Sequence, residues 1–169
     1  MNYRTPQTLP ITGHNMNYHN DISVEDKAAI AKGLLKLLAD SYALYLKTQG
    51  YQRNITAPLF KVMRRLLEEQ NTELANLIDN ITHRIRALGL PAPTARQAYQ
   101  KLSSIGETVN LPNESEMIRQ LIRDHDVVIR TTSTILTHAQ IVNDASTAML
   151  LTLNLRMHKN HARALQNLL

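Results

Sequence analysis

Apolar positions along this chain recur every three to four residues and almost nowhere every two. The pattern therefore predicts helices and no strands. The first stripe is Ala31, Leu34, Leu35, Leu38, Tyr42, Tyr45 and Leu46. It predicts a helix opening at Ser23 as N-cap, with Asp26 three residues on in a variant of the capping box, and ending at Gly50. A second stripe runs Leu59, Met63, Leu66, Leu67, Leu74, Leu77, Ile78, Ile81, Ile85 and Leu88. Pro58 is a natural first-turn residue before it, and Gly89 and Pro91 stop it. Such a helix is about 45 Å long, beyond the usual globular length. Residues 92–113 form a link holding a short helix at 95–102. Asn113 then caps a third long helix carrying Ile118, Leu121, Ile122, Val128, Ile129 and Ile135. A fourth starts near Asp144 and carries Ala148, Leu151, Leu155, Ala162, Leu165 and Leu169. Two short-link hairpins joined by one longer crossover predict an all-α, four-helix bundle with a short extra helix between helices two and three.

Residues 1–22 break this picture. They are polar, contain Pro6, Pro10 and Gly13, and have no period. They are expected to be a flexible N-terminal tail on a single domain spanning 23–169. The composition is globular, at 43% hydrophobic and 20% charged, and with 4% aromatics and no Trp the core must be aliphatic. There is no Cys, which excludes disulfides and thiolate metal sites. No segment has the apolar core of a signal peptide or the run of about 20 residues that spans a bilayer. A soluble, cytoplasmic protein without membrane contact is expected. The formal charge of +5 permits nucleic acid as a partner. No Lys/Arg cluster has the density of a binding motif, so a solvated basic surface is the plainer explanation.

Candidate chemistry is sparse. No Glu is followed by His three residues on, so the usual intra-bundle di-iron signature is missing. A second face of the long helix carries Arg64, Glu68, Ala75, Asp79 and His83. Asp79 and His83 stand four residues apart, a workable pair of ligands for a divalent metal. A solvated or interface pair is the simpler explanation. Arg64 and His83 lie nearly 30 Å apart on one helix and could meet only across two antiparallel chains. His158 sits on the apolar stripe of the fourth helix, where a lone His is usually a hydrogen-bonded core residue, and His161 follows one turn on. His125 and His138 have no evident partners; His14 and His19 sit in the tail. Lys61, Arg64 and Arg65 make a basic patch better read as solvated or ion-paired than as a phosphate site, and no glycine-rich phosphate loop is present.

The stretches "LLADSYALYLKTQGYQRNITAPLF", "LLEEQNTELANLIDNITHRIRALGLPAP", "KLSSI", "EMIRQLIRDHDVVIR" and "NDASTAMLLTLNLRMHKNHA" resemble, in order and spacing, the Dps proteins, mini-ferritins of the DNA-protection family. The resemblance covers nearly everything from residue 23 onward. It implies a ferritin-like fold, a hollow dodecameric shell, oxidation of Fe(II) by peroxide at a site between two subunits, and DNA binding in many members. Carried over residue by residue, that site mostly fails. The family's His-Trp-Asn reads Gln52, Arg53, Asn54, and its second His is Arg64. Glu68 keeps the following carboxylate and Asp79 the partner-chain Asp, while the family's next Glu is His83. Gln is a weak neutral ligand and Arg cannot donate to a metal, so iron binding should be much weakened. A rewired site of Asp79, His83 and Glu68, with His161 as a weaker addition, could instead take zinc or another divalent ion. Thr147-Ala148-Met149 replaces a Thr-Ala-Asp near an ion pore, and the family's late His-Glu-Lys-x-Ala-Trp becomes His158 to Arg163. The tail has Arg4 and no Lys, which weakens the case for DNA binding through it. The expectation is a homo-oligomeric, dodecameric Dps-type shell whose ferroxidase activity is lost or weak. An active rewired mini-ferritin, a DNA-binding shell and a mixed shell with an active paralogue are the alternatives.

Overall fold

A computed structural model describes residues 22–55 and 61–169, without the side chain of Arg96. Five helices follow one another: α1 Val24–Asn54, α2 Lys61–Ala87, α3 Arg96–Leu102, α4 Glu114–Ile141 and α5 Ala145–Gln166. No strand is present among the described residues. None of their helices is long and apolar enough to cross a membrane. The tail, Pro58 and Leu59 lie outside the described residues.

The expected start signals do their work. Ser23 Oγ accepts from the Asp26 N–H at 3.0 Å and donates to the Asp26 carboxylate at 2.7 Å. Asn113 accepts from the Glu116 N–H at 2.9 Å, and Asp144 from the Thr147 N–H at 3.0 Å. Each satisfies a helix-end donor that would otherwise need water.

The end of α1 differs from expectation. The helix runs through Gly50 to Asn54, so Gln52 and Arg53 sit in its last turn and not in a link. A helical Gly costs only about 1 kcal/mol relative to Ala. Tyr51 offsets that: it is buried, and its hydroxyl bonds Thr108 at 3.0 Å and also Gln120. The helix ends where Ile55 turns extended.

α1 packs on α2 and α4 on α5 as two hairpins, and α1 also packs along α4. Aliphatic side chains fill the space between, among them Leu34, Leu38, Leu67, Leu74, Leu121 and Leu151, all fully buried. At Gly33 an added Cβ would lie 2.9 Å from Ile135 Cγ1, so glycine lets α1 approach α4 closely. The crossover is clipped to α1 by the buried carboxylate of Asp40. It accepts from Ser103 Oγ at 3.1 Å, the Ser104 N–H at 2.6 Å and Thr131 Oγ1 at 3.2 Å. Tyr99 of α3 also meets Tyr42 edge-on, with ring centroids 4.7 Å apart. Lys47 and Asp124 pair at 2.6 Å between α1 and α4.

The α4–α5 hairpin turns through Asn143, which takes the left-handed conformation that Asn tolerates (φ 57°). Next to it, Arg84 of α2 donates to both Asp144 carboxylate oxygens at 2.7 and 2.8 Å and to Thr147 Oγ1 at 2.7 Å. Burial alone would raise the Asp144 carboxyl; the bonds from Arg84 and Thr147 overcome it and hold the group below its ordinary value.

Removing Asp144 would strand a half-buried guanidinium and uncap α5. Asp144→Ala is therefore expected to lower the unfolding free energy by about 3–5 kcal/mol. Arg65→Ala breaks the exposed pair with Glu69 and should cost less than about 0.5 kcal/mol. Urea unfolding of the variants at matched protein concentration checks both.

Candidate functional site

The outer face of the α1–α2 hairpin brings together the C-terminal turn of α1 and the middle of α2. Gln52, Arg53, Glu68, Asn71 and Thr72 line an open cleft there of about 340 Å³. Gln52 and Glu68, far apart in the chain, thus share one site. Arg64 lies one turn before Glu68, and Asp79 and His83 lie further along α2. All four of these α2 side chains are exposed. Glu68 and Asp79 are about 16 Å apart along the helix, so one chain cannot close them around an ion. No three or more His, Cys, Asp or Glu among the described residues are arranged to hold a metal. The cleft offers one carboxylate, the neutral amides of Gln49, Gln52, Asn71 and Asn76, and the guanidinium of Arg53, a donor set without imidazole that does not fit iron.

His161 is elsewhere. It faces the bundle interior from α5, and its Nε2 meets the Glu73 carboxylate of α2 at 2.9 Å. Gln70 donates to the His161 carbonyl at 3.3 Å. Around it the structure assembles a cluster that spacing along the chain did not reveal. His125 of α4 and His158 of α5 are fully buried, with Nδ1 to Nδ1 at 2.9 Å. Ring centroids of the three imidazoles stand 5.1, 5.4 and 6.3 Å apart. His125 thus has a partner after all, and so does His138, whose Nε2 meets Asp26 at 3.2 Å. A signal for the cluster exists in hindsight. His125 lies 18 residues before the Asn143 turn and His161 18 after it. An antiparallel hairpin must bring such positions level.

The cluster is electrostatically unusual. Burial, and then the neighbouring His158 and His161, push His125 well below its ordinary value. Burial and His161 push His158 down to about 3. Burial also lowers His161, against the opposing pull of Glu73. All three rings are neutral at pH 7. One of the two facing Nδ1 atoms donates and the other accepts. His125 Nε2, His158 Nε2 and His161 Nδ1 have no hydrogen-bond partner. Elsewhere among the described residues Thr48 Oγ1, Gln70 Oε1, Asn71 Oδ1 and Asn154 Nδ2 are likewise buried without a partner.

Residues 31–169 match the family model of the ferritin-like domain. A low temperature-induced protein of Nostoc is 31% identical over 107 residues, 63% of this chain. The chain spans 60% of that relative's length. DNA protection during starvation protein 2 of Bacillus anthracis is 28% identical over 96 residues, covering 57% of this chain and 66% of that protein. Among solved structures, Dps from Thermosynechococcus elongatus superposes with a TM-score of 0.82 at 23% identity, over 86% of this chain and 92% of that one.

The buried histidines make stability depend on pH. Their folded values lie below the unfolded value near 6.5. The contribution is therefore present above pH 6.5 and is lost as pH falls from there towards about 3. Between pH 7 and pH 5 each fully buried histidine should remove about 2 kcal/mol. A His158→Leu variant should show a flatter acid limb than the wild type in urea unfolding series across that range.

Proposed function

The chain belongs to the ferritin-like family, in its Dps branch, and on that premise we propose that it is the subunit of a homo-oligomeric mini-ferritin shell that holds iron as cargo while oxidising it weakly or not at all. The observation that carries this reading is the shared cleft of Gln52 and Glu68. Dps proteins keep an imidazole where Gln52 stands and another where Arg64 stands. Here the first is a neutral amide and the second a fixed cation one turn from Glu68. An Fe(II) ion entering such a site would meet one carboxylate of this chain against a guanidinium, and coulombic repulsion opposes it. Asp79 and His83 stay exposed on the same helix, where a second antiparallel copy could be received. A dodecamer, as in the family, is the proposed assembly, and a mixed shell with an active paralogue would give a weak subunit a use.

The exposed Asp79–His83 pair favours one second reading, a rewired site with Glu68 that takes iron, zinc or another divalent ion across the subunit contact. It predicts anomalous scattering at that contact after a metal soak, removed by His83→Ala. DNA binding is a weaker proposal, supported by the +5 charge and by the name of the Bacillus anthracis relative. A gel shift that fades steeply with salt would support it.

The leading reading is tested by peroxide-driven Fe(II) oxidation in the purified assembly. The wild type should run within a few-fold of the buffer rate. The double variant Gln52→His/Arg64→His, which restores two imidazoles, should raise it at least about tenfold, since losing even an outer-shell partner of a metal ligand costs about 10–100-fold. Fast oxidation by the wild type would overturn the reading.

A further inference from the structure

We propose that the outer face of α2 is a contact between two copies of this chain, in which Arg64 of each copy pairs with Asp79 of the other and closes the contact by charge, without a metal ion. The proposal rests on the homo-oligomeric reading above and is independent of what that reading says about iron.

Charge on this helix is unevenly placed. Its first turn holds Lys61 and Arg64 and no acid, although the N-terminal end of a helix is positive and favours carboxylates. Arg65 is neutralised by Glu69 of its own helix at 3.1 Å. Arg64 and Asp79 are exposed, and neither makes an ion pair within the chain among the described residues. They stand about 22 Å apart along one helix, so only a second copy can join them.

Twofold symmetry then fixes the register. In an isologous contact the same patch meets itself. Across two antiparallel α2 helices, facing residues therefore lie equally far from the axis on opposite sides. When Arg64 faces Asp79, the axis crosses α2 between Asn71 and Thr72. Both line the outer cleft beside Gln49 and Gln52 of α1, so the axis falls on an open surface whose middle is polar and uncharged. Glu68 then faces Ala75, a small residue of the same cleft that leaves room for the longer side chain. Two ion pairs result, each about 11 Å from the axis.

Neighbouring registers fail. Setting Arg64 against His83 also sets Glu68 against Asp79, two like charges, and places the axis beside Leu74, which is fully buried. Setting Lys61 against Asp79 places the axis on Gln70, also buried. In the register that remains, the guanidinium offers a planar, permanently charged fork to the carboxylate, and each copy brings an acid to the first turn that lacks one.

The test is a charge swap in the full chain, kept in chelator, with assembly followed by sedimentation over a dilution series. Arg64→Glu sets carboxylate against carboxylate at both pairs, and Asp79→Arg sets guanidinium against guanidinium. Each should raise the concentration of half-dissociation at least about tenfold. The double variant Arg64→Glu/Asp79→Arg reverses both signs and should return close to the wild type. Arg65→Ala, which breaks a pair within one helix, should leave assembly unchanged. All these positions are exposed, and recovery in the double variant separates lost pairing from misfolding. No recovery, or a loss on Arg65→Ala as large as on Arg64→Glu, would overturn the proposal and leave the homo-oligomer standing. A contact that forms only with added Fe(II), Zn(II) or DNA would also overturn it. A wild type that is monomeric at every concentration would overturn both, whereas fast iron oxidation would count against the iron reading alone.

Discussion

One buried carboxylate sets the register on which the rest of this bundle depends. Asp144 closes the α4–α5 turn, caps α5 and holds Arg84 of α2 by two hydrogen bonds. Three helices are thereby fixed in height at one end. From that end, the antiparallel run of α4 and α5 brings His125 level with His158 and His161, and α2 delivers Gln70 and Glu73 to the same layer. A slip of one helical turn, about 5.4 Å, would separate these groups.

The molecule thus has two polar regions of opposite character. The outer cleft is open to solvent and lined by one carboxylate, one guanidinium and several neutral amides, with no imidazole. The interior layer is dry and rich in imidazole, yet carries almost no charge. Desolvation explains the contrast: a dry core tolerates neutral histidines far better than paired carboxylates. Among the described residues three of the five imidazoles lie inside the bundle, and those of His83 and His138 lie outside it.

Much of the fold could be read from the chain, because helix stripes and N-caps are local. Ser23, Asn113 and Asp144 each announced a helix start that the structure keeps. The end of α1 could not be read that way. Gly50 is an ordinary stop signal, and the force that overrides it comes from Tyr51 bonding to residues 57 and 69 positions away. The same limit hid the histidine cluster. His158 and His161 were visible as a pair, but His125 joins them from another helix, 33 residues from His158. The outer cleft was legible only by likeness to a family, since nothing in the local pattern connects Gln52 to Glu68.

The distribution of the tyrosines carries a consequence for spectroscopy. The chain has no Trp, and outside the tail its tyrosines are Tyr42, Tyr45, Tyr51 and Tyr99, all on α1 or α3. Once the contribution of Tyr3 and Tyr18 in the tail is subtracted, near-ultraviolet absorption and fluorescence report on α1 and the docking of the crossover, where Tyr42 meets Tyr99. The α4–α5 hairpin, with every buried histidine among the described residues, carries no tyrosine and is dark to these methods. Events in that layer will be seen by imidazole proton resonances or by a tryptophan introduced on α5, and an unchanged tyrosine signal is no sign that the layer is unchanged.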